Sequence, residues 1–216
     1  MVTAQSPVPN PVSYPANLKV DYPERNLNRL TSFFRLIWVI PIAIVLIFLI
    51  GTSGDNNTKK EVMVIGGIGF TFLPLVLMIL FRQKYPKWWF DWNLALAKFS
   101  NRVGAYIALL RDEYPSTDEE QSVHIDLAYP DVKTQLMRGM PLIKWFLAIP
   151  HYIVLAFLAV AAFVCIVIAW FAILFTGKYP KGLFNFVVGV MRWGFRVEAY
   201  VVLLVTDKYP PFSLEG

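Results

Sequence analysis

The chain has 216 residues, of which 56% are hydrophobic, 16% are aromatic and only 16% are charged, and its mean hydropathy is +0.51. Soluble domains are about 45–50% apolar and about 25% charged, so this composition predicts a protein of the lipid bilayer. The net charge of +5 is not arranged in a basic stripe or a nucleic-acid-binding motif, which argues against a nucleic-acid partner. A single cysteine, Cys165, excludes an intrachain disulfide and a cysteine-rich metal site.

The N-terminal part of the chain predicts an arm followed by a strand. Residues 1–17 are polar and rich in proline, which indicates an extended arm, and no basic segment leads into an apolar one as in a cleavable signal peptide. Apolar and polar residues then alternate from Leu18 to Tyr22, and the alternation returns from Val123 to Tyr129. Period two predicts strands, which either pair as a small ribbon outside the membrane or form separate extended linkers.

Two apolar runs follow, residues 36–50 and 62–81, with the polar loop 51–61 between them. The second run holds 20 uncharged residues, and at about 1.5 Å per residue this suffices to cross a hydrocarbon core about 30 Å thick. Pro41 lies inside the first run, where membrane helices tolerate a proline as a kink. Together the runs predict a transmembrane helical hairpin.

A long stretch of sequence occurs twice, as residues 79–115 and again as residues 173–210. Both copies read ILF, two residues, KYPK, an aromatic-rich run, two cations four apart, AY, two residues, LL and a closing YP. Such a match indicates internal duplication. We therefore predict two tandem repeats, residues 18–115 and 129–216, joined by an acidic linker at residues 116–128.

The second repeat contains the uncharged run 145–177, in which no polar loop separates the two apolar halves. Either a tight hairpin near residues 158–162 joins two short helices, or one long tilted helix runs through. The duplication favours the hairpin, because a single crossing would place the two KYPK segments on opposite sides of the membrane. Clusters of Lys and Arg elsewhere then predict cytoplasmic termini and four crossings by the positive-inside rule.

The stretch after each KYPK predicts an amphipathic helix. Asp91, Lys98 and Arg102 are spaced seven and four residues apart and share one helical face, and Arg192 and Arg196 take the matching face in the second copy. This pattern is typical of a helix lying in the membrane interface. The alternative is a crossing helix, for a total of six crossings, but two cations at mid-depth would cost about 5–7 kcal/mol.

The candidate contact residues follow from these helices. The predicted lipid-headgroup contacts are Lys84, Lys87, Lys98, Arg102, Lys178, Lys181, Arg192 and Arg196. A partner contact is predicted at three tryptophans of the first copy that the second copy lacks, Trp88, Trp89 and Trp92. The two histidines have no counterparts in the other repeat, and no nucleophile or phosphate-binding motif is visible, so no catalytic, metal or cofactor site is predicted.

Two segments carry a family resemblance: residues 142–158, LIKWFLAIPHYIVLAFL, and residues 169–214, which contain TGKYPKGLFNF and FRVEAYVVLL. They resemble the bacterial membrane family known as domain of unknown function 4389, and residues 20–115 are similar to it as a more diverged copy. The resemblance implies a multi-pass protein of the bacterial inner membrane and supplies no catalytic residues.

The expected fold is an all-α integral membrane protein with two pseudo-symmetric repeats, each a transmembrane hairpin followed by an interfacial helix. The alternating segments allow a small β-ribbon outside the membrane in addition. The expected function is a non-catalytic accessory or scaffold subunit of a bacterial inner-membrane complex, with anionic lipids and other membrane subunits as partners. Two alternatives stay open. One is a transporter or channel for small molecules or lipids formed by the repeats, and the other is a protein that organises anionic lipid.

Overall fold

A computed structural model describes residues 14–24, 26–50, 73–117 and 119–215, with the backbone alone for residues 36 and 46–50. Most of the predicted arm, the loop 51–61 and the start of the run 62–81 lie outside these ranges. Two strands and eight helices form within them: β1 (Ala16–Val20), α1 (Arg29–Phe33), α2 (Arg35–Ile50), α3 (Leu73–Arg82), α4 (Lys87–Ile107), β2 (Val123–Leu127), α5 (Val132–Gln135), α6 (Met140–Leu147), α7 (Ile149–Thr176) and α8 (Lys181–Val201).

The two strands pair as an antiparallel ribbon with Leu18 opposite Ile125. Leu18 and Ile125 are buried, whereas Lys19 and His124 on the other face are exposed. Period-two alternation places one face of each strand against the core. Of the two arrangements that the alternation allowed, the ribbon is therefore confirmed.

Helices α4 and α8 follow the two KYPK segments and occupy equivalent places. Each has 21 residues and begins directly after a proline, Pro86 or Pro180, whose missing N–H costs nothing at a helix start. Strand β1 packs on α8 and strand β2 packs on α4, so each strand covers the helix of the other half of the chain. One hydrophobic core joins both halves, and it buries the equivalent residues Ile79 and Ile173 completely.

Helix α7 is continuous over 28 residues, so it is about 42 Å long at 1.5 Å per residue. The short link 177–180 returns the chain to α8, and the His151 ring near the start of α7 contacts Trp193 late in α8. The two helices are therefore antiparallel neighbours. Gly177 ends α7 at φ +75°, in the left-handed region that glycine adopts most readily, and its amide donates to the Ile173 carbonyl at 2.7 Å.

The predicted hairpin near residues 158–162 is wrong, because the chain passes through this segment as helix. Between Pro150 and Gly177 the sequence holds no glycine or proline that would stop a helix. Pro150 itself lies in the first turn of α7, directly after α6 ends, where it needs no hydrogen-bond donor. The alternative of one long helix is what the chain adopts.

The predicted fold of four membrane-spanning helices is wrong as well. In the described part of the chain, α7 is the one helix that is long and apolar enough to cross a membrane, with mean hydropathy 3.0 over its most apolar 18 residues. The described part of α3, residues 73–82, is apolar but short. Within the described residues the chain forms one long apolar helix, several shorter helices and a two-stranded sheet, and the segment 51–72 that would join the first hairpin lies outside them.

Candidate functional site

The eight basic residues predicted to meet lipid headgroups fall into two groups. Those at the starts of α4 and α8 are exposed, namely Lys84, Lys87, Lys178 and Lys181. Farther along the helices, Lys98 and Arg192 are half-buried, and Arg102 and Arg196 are buried. Burial against the protein removes Arg102 and Arg196 from the predicted headgroup contacts.

Each buried arginine holds the segment that follows its own helix. Arg102 donates from Nη1 to the Ser116 carbonyl at 2.8 Å. Arg196 donates from Nη2 to the carbonyls of Ser213 at 2.8 Å and Glu215 at 2.7 Å. A buried guanidinium needs such acceptors, and hydrogen bonds from a charged donor are the stronger kind. These two arginines therefore fasten the chain after α4 and the C-terminal tail after α8.

An ionic contact, here called the first anchor, closes the end of α4. Arg35 at the start of α2 pairs with Asp112, and its guanidinium carbon lies 4.4 Å from the centre of the Tyr106 ring. The Asn28 amide donates to Asp112 Oδ2 at 2.7 Å. Burial lowers the pKa of the Arg35 guanidinium, and the Asp112 carboxylate acts in the opposite direction.

A second anchor repeats this arrangement at the end of α8. Lys144 Nζ of α6 lies 2.8 Å from Asp207 Oδ1 and 4.9 Å from the centre of the Tyr200 ring. It also donates to the Thr206 carbonyl at 2.7 Å, and the Met137 amide donates to Asp207 Oδ2 at 2.6 Å. Lys144 is fully buried, and burial lowers the pKa of its ammonium group while Asp207 raises it.

The sequence does contain a signal for the anchors, although we did not predict them. Arg35 and Lys144 stand the same number of residues before Pro41 and Pro150, and Asp112 and Asp207 follow the two matching LL pairs. Leu109 (φ 61°) and Leu204 (φ 51°) have left-handed backbone conformations, and each turns the chain three residues before the carboxylate of its anchor. Extending the comparison of the two halves by these few positions would have shown that both halves share the cation and the carboxylate, but not that the two groups pair.

A polar cleft of about 1080 Å³ opens beside the first anchor, and its lining includes Asp21, Glu24, Asn26, Asn28, Arg111, Asp112, Glu113 and Lys181. Arg111 spans it, with Nη2 donating to Glu113 Oε1 at 2.7 Å and Nη1 donating to the Asp21 carbonyl at 3.3 Å. Of the charged groups in the cleft, Arg111 pairs with Glu113, and Asp112 pairs with Arg35 of the first anchor. Within the described ranges, no group of three or more His, Cys, Asp or Glu side chains could hold a metal ion.

Glu113 is the cleft carboxylate with a strongly shifted pKa. Burial opposes its ionisation, but hydrogen bonds from Ser122 and Arg111 outweigh that effect and lower its pKa to about 2. A depressed pKa contributes stability that is present above the ordinary value of 4.5 and is lost as the pH falls through about 2.

Replacing Glu113 with glutamine is therefore expected to lower the free energy of unfolding at pH 7 by less than about 1 kcal/mol, because solvent screens this part-exposed side chain. Urea unfolding in detergent micelles at several pH values measures the effect. The difference from the wild type should shrink between pH 4.5 and about 2. Glu119→Gln, at an exposed carboxylate six residues further along the chain, is the control. An equal difference for Glu113→Gln at every pH would contradict the assignment.

Glu198 is a partly buried carboxyl group on α8. Burial raises its pKa to about 7. Its counterpart in the first half is Gly104, and it does not line the cleft described above. The group is therefore a feature of the second half alone.

The outer face of α7 is a continuous apolar surface. A buried stripe that includes His151, Ala162, Ala169 and Ile173 faces inward. The outward side chains, spaced mostly three and four apart, are Ile153, Phe157, Val160, Phe163, Val164, Val167, Ile168, Phe171 and Phe175. Only 11% of the most apolar 18-residue window of α7 is buried inside the protein, whereas the core helix of a soluble protein would be mostly buried.

The predicted partner tryptophans form a cluster at the start of α4. Trp88 and Trp92 are exposed, and the Trp89 ring between them lies 5.1 Å and 6.0 Å from the other two ring centres. Trp89 also packs against the core. The exposed position is compatible with a contact to another protein, which stays a prediction.

The part of the chain that holds α6, α7, α8 and the tail corresponds to a known protein family. Residues 140–213 match the family model described as a domain of unknown function, DUF4389. The match confirms the resemblance for this segment, but it does not extend to residues 18–115, so two tandem copies of that domain are not supported. No curated protein and no solved structure matches the chain.

The DUF4389 segment contains most of the structural features described above. The apolar face of α7, the second anchor pair Lys144 and Asp207, and the arginine that holds the tail all lie within it. Strand β1, the first anchor and the tryptophan cluster lie outside. Strand β1 nevertheless covers α8, so the DUF4389 segment packs against chain that precedes it.

Proposed function

We propose that this protein is a non-catalytic accessory or scaffold protein bound to the bacterial inner membrane. The observation that carries the proposal is the outer face of α7. Fully burying a large apolar side chain is worth about 1.5–3 kcal/mol, so leaving nine such side chains in water would cost on the order of 10 kcal/mol. A whole domain is stable by only about 5–15 kcal/mol. Acyl chains would remove this cost.

The exposed lysines support a membrane surface as the neighbour. Lys84 and Lys87 stand at the start of α4, and Lys178 and Lys181 stand at the equivalent place before α8. A basic residue near an anionic leaflet contributes about 1 kcal/mol of attraction. On the positive-inside rule, the polar part of the protein would lie on the cytoplasmic side.

The buried cations favour a scaffold over a conduit. Arg102 and Arg196 bind backbone carbonyl groups of the chain itself. They are therefore part of the packing and do not line a polar path for a solute. In the cleft, Arg111 likewise pairs with Glu113, and Asp112 pairs with Arg35.

Internal duplication remains our interpretation of the two halves. Each half has a cation, an aromatic ring and a carboxylate in the same arrangement, and each has an arginine that binds a serine carbonyl farther along. We attribute these matching contacts to the duplication of one ancestral unit. In the duplicated chain, the strand of each half packs on the helix of the other half. The first half would since have diverged beyond the reach of the DUF4389 family model.

Replacing both Phe157 and Phe163 with glutamate tests the membrane proposal. These side chains are 75% and 67% exposed, so the change should not disturb the protein interior, but it places two charges on the lipid side. We expect the variant to move from the membrane fraction to the soluble or aggregated fraction after an alkaline carbonate wash. Met137→Glu, at an equally exposed apolar side chain outside α7, should stay in the membrane fraction. Release of the wild-type protein by carbonate would contradict the proposal.

The accessory role is tested by purification in mild detergent followed by mass spectrometry. We expect a specific membrane-protein partner to co-purify and its yield to fall when Trp88 and Trp92 are both replaced with alanine, because exposed tryptophans are favoured at the centres of interfaces. Trp38→Ala removes another exposed tryptophan, from α2, and should leave the yield unchanged. A wild-type protein that purifies alone would argue against the role.

A further inference from the structure

We infer that α7 lies flat in one leaflet of the membrane and does not cross it, an inference that rests on the membrane binding proposed above. By length and composition α7 could span a bilayer. The parts of the protein that pack alongside it decide the orientation.

Helix α8 lies between α7 and a polar layer. On one side, Trp193 and Val197 pack in the cluster that contains Ala148 and the first turns of α7. On the other side, Arg192 donates from Nε to the Leu18 carbonyl of β1 at 2.9 Å and from Nη1 to the Leu214 carbonyl of the tail at 3.0 Å. The ribbon therefore lies on the side of α8 that faces away from α7, whereas the tail also reaches the start of α7, where the Phe212 ring stacks on His151 at 4.1 Å.

The polar layer runs beside most of the length of α7. Near the start of α7, the Tyr14 hydroxyl donates to the Lys208 carbonyl, and the neighbouring Tyr209 donates to the Leu147 carbonyl. Just past the end of α7, the Tyr22 hydroxyl donates to the Tyr179 carbonyl. The extended segment 14–22 covers about 26 Å between these points at 3.3 Å per residue.

A crossing orientation of α7 would therefore carry the ribbon through the hydrocarbon core. The ribbon has two strands and open edges, and its outer face is charged: the Lys19 side chain is 73% exposed, and His124 and Asp21 are about half exposed. Unpaired backbone groups and exposed charges are not tolerated in contact with lipid tails. With α7 in the membrane plane, the same ribbon lies beyond α8, away from the acyl chains and in water.

In the flat orientation, every outward side chain of α7 contacts the acyl chains of the same leaflet. Phe157, Val164 and Phe171 lie on one line along the helix and all point away from α8. Next to the C-terminal part of α7, the Phe33 ring of α1 stacks on Trp170 at 6.1 Å and extends the apolar surface. Such a surface matches a lipid leaflet better than a protein groove, because it is uncharged over the full length of the helix.

Single cysteines introduced into a Cys165→Ser variant test the orientation, because labelling shows on which side of the membrane each cysteine lies. Met137→Cys and Lys178→Cys place exposed thiols just outside the two ends of the α6–α7 segment. A membrane-impermeant maleimide, applied to spheroplasts and to inverted inner-membrane vesicles, should label both positions from the same side. Labelling from opposite sides would overturn the flat orientation and leave membrane binding standing. If alkaline carbonate released both variants from the membrane, the result would contradict the proposed membrane binding and the flat orientation together.

Depth measurements give a second readout. A fluorophore attached at position 157, 164 or 171 should be quenched equally by nitroxides at one shallow acyl-chain depth in vesicles of phosphatidylethanolamine and phosphatidylglycerol. A crossing helix would instead show its deepest point near residue 164. A fluorophore at position 19 on the ribbon should not be quenched. No quenching at any α7 position in membrane-bound protein would show that another protein, such as a second copy of this chain, covers the face, and would also overturn the inference.

Discussion

Replacing Lys144 with methionine is expected to lower the free energy of unfolding by about 3–5 kcal/mol, the usual cost of breaking a buried ion pair on one side. The ammonium group is 0% exposed and serves both Asp207 and the Thr206 carbonyl. Methionine fills a similar volume but leaves both oxygens without a donor. Chemical denaturation in micelles, followed by tryptophan fluorescence, measures the change.

A double variant separates the charge from the packing. Lys144→Met combined with Asp207→Asn should be less destabilised than the sum of the single changes, because asparagine is uncharged and its oxygen can still accept the Met137 amide. Lys133→Met, at an exposed position on α5, is the matched control and should change stability by less than about 0.5 kcal/mol. If Lys144→Met were as mild as Lys133→Met, the second anchor would not stabilise the fold.

Replacing Gly189 with alanine is expected to lower the free energy of unfolding by about 1–3 kcal/mol through overpacking. A Cβ atom at this position would lie 2.9 Å from Leu214 Cβ and 3.1 Å from the Leu214 carbonyl oxygen. The tail would have to move, and Arg196 would then lose its acceptors at Ser213 and Glu215. The helix-propensity gain of about 1 kcal/mol for alanine only partly offsets this.

Gly194→Ala on the same helix is the control, because a Cβ atom there meets nothing within 4 Å. It should be neutral or should stabilise α8 by up to about 1 kcal/mol. Limited proteolysis adds a structural readout, since a displaced tail should be cut faster in Gly189→Ala than in the wild type or in Gly194→Ala. Two glycine variants with the same stability and the same cleavage rate would contradict the close packing of the tail.

Local pattern was enough to predict several elements. The alternation at Leu18–Val20 and Val123–Leu127 predicted the strands, and the spacing of apolar and charged residues after each KYPK predicted helices where α4 and α8 lie. These features depend on neighbours only a few residues away. The hairpin near residues 158–162 was wrong because it came from an argument about membrane sidedness, and no local breaker supports it.

For the candidate site, surface exposure was predicted correctly at some positions. The lysines before α4 and α8 are exposed and the tryptophan cluster is on the surface, and the contacts expected of them stay predictions. Arg102 and Arg196 were misplaced because helical spacing identifies which side chains share a face but not what covers that face. The two anchors were missed because each joins a cation and a carboxylate more than sixty residues apart.

By itself, the sequence determined the local elements, because periodicity predicts the strands and helices, and its apolar composition led us to expect lipid as the neighbour. Only the tertiary structure decided that β1 covers α8 and that the tail accepts from Arg196. It also placed a polar ribbon on the far side of α8 from α7, the one helix in the described ranges that could span a bilayer. The physical reason is distance along the chain, since contacts such as Tyr14 to Lys208 join residues that no local window contains.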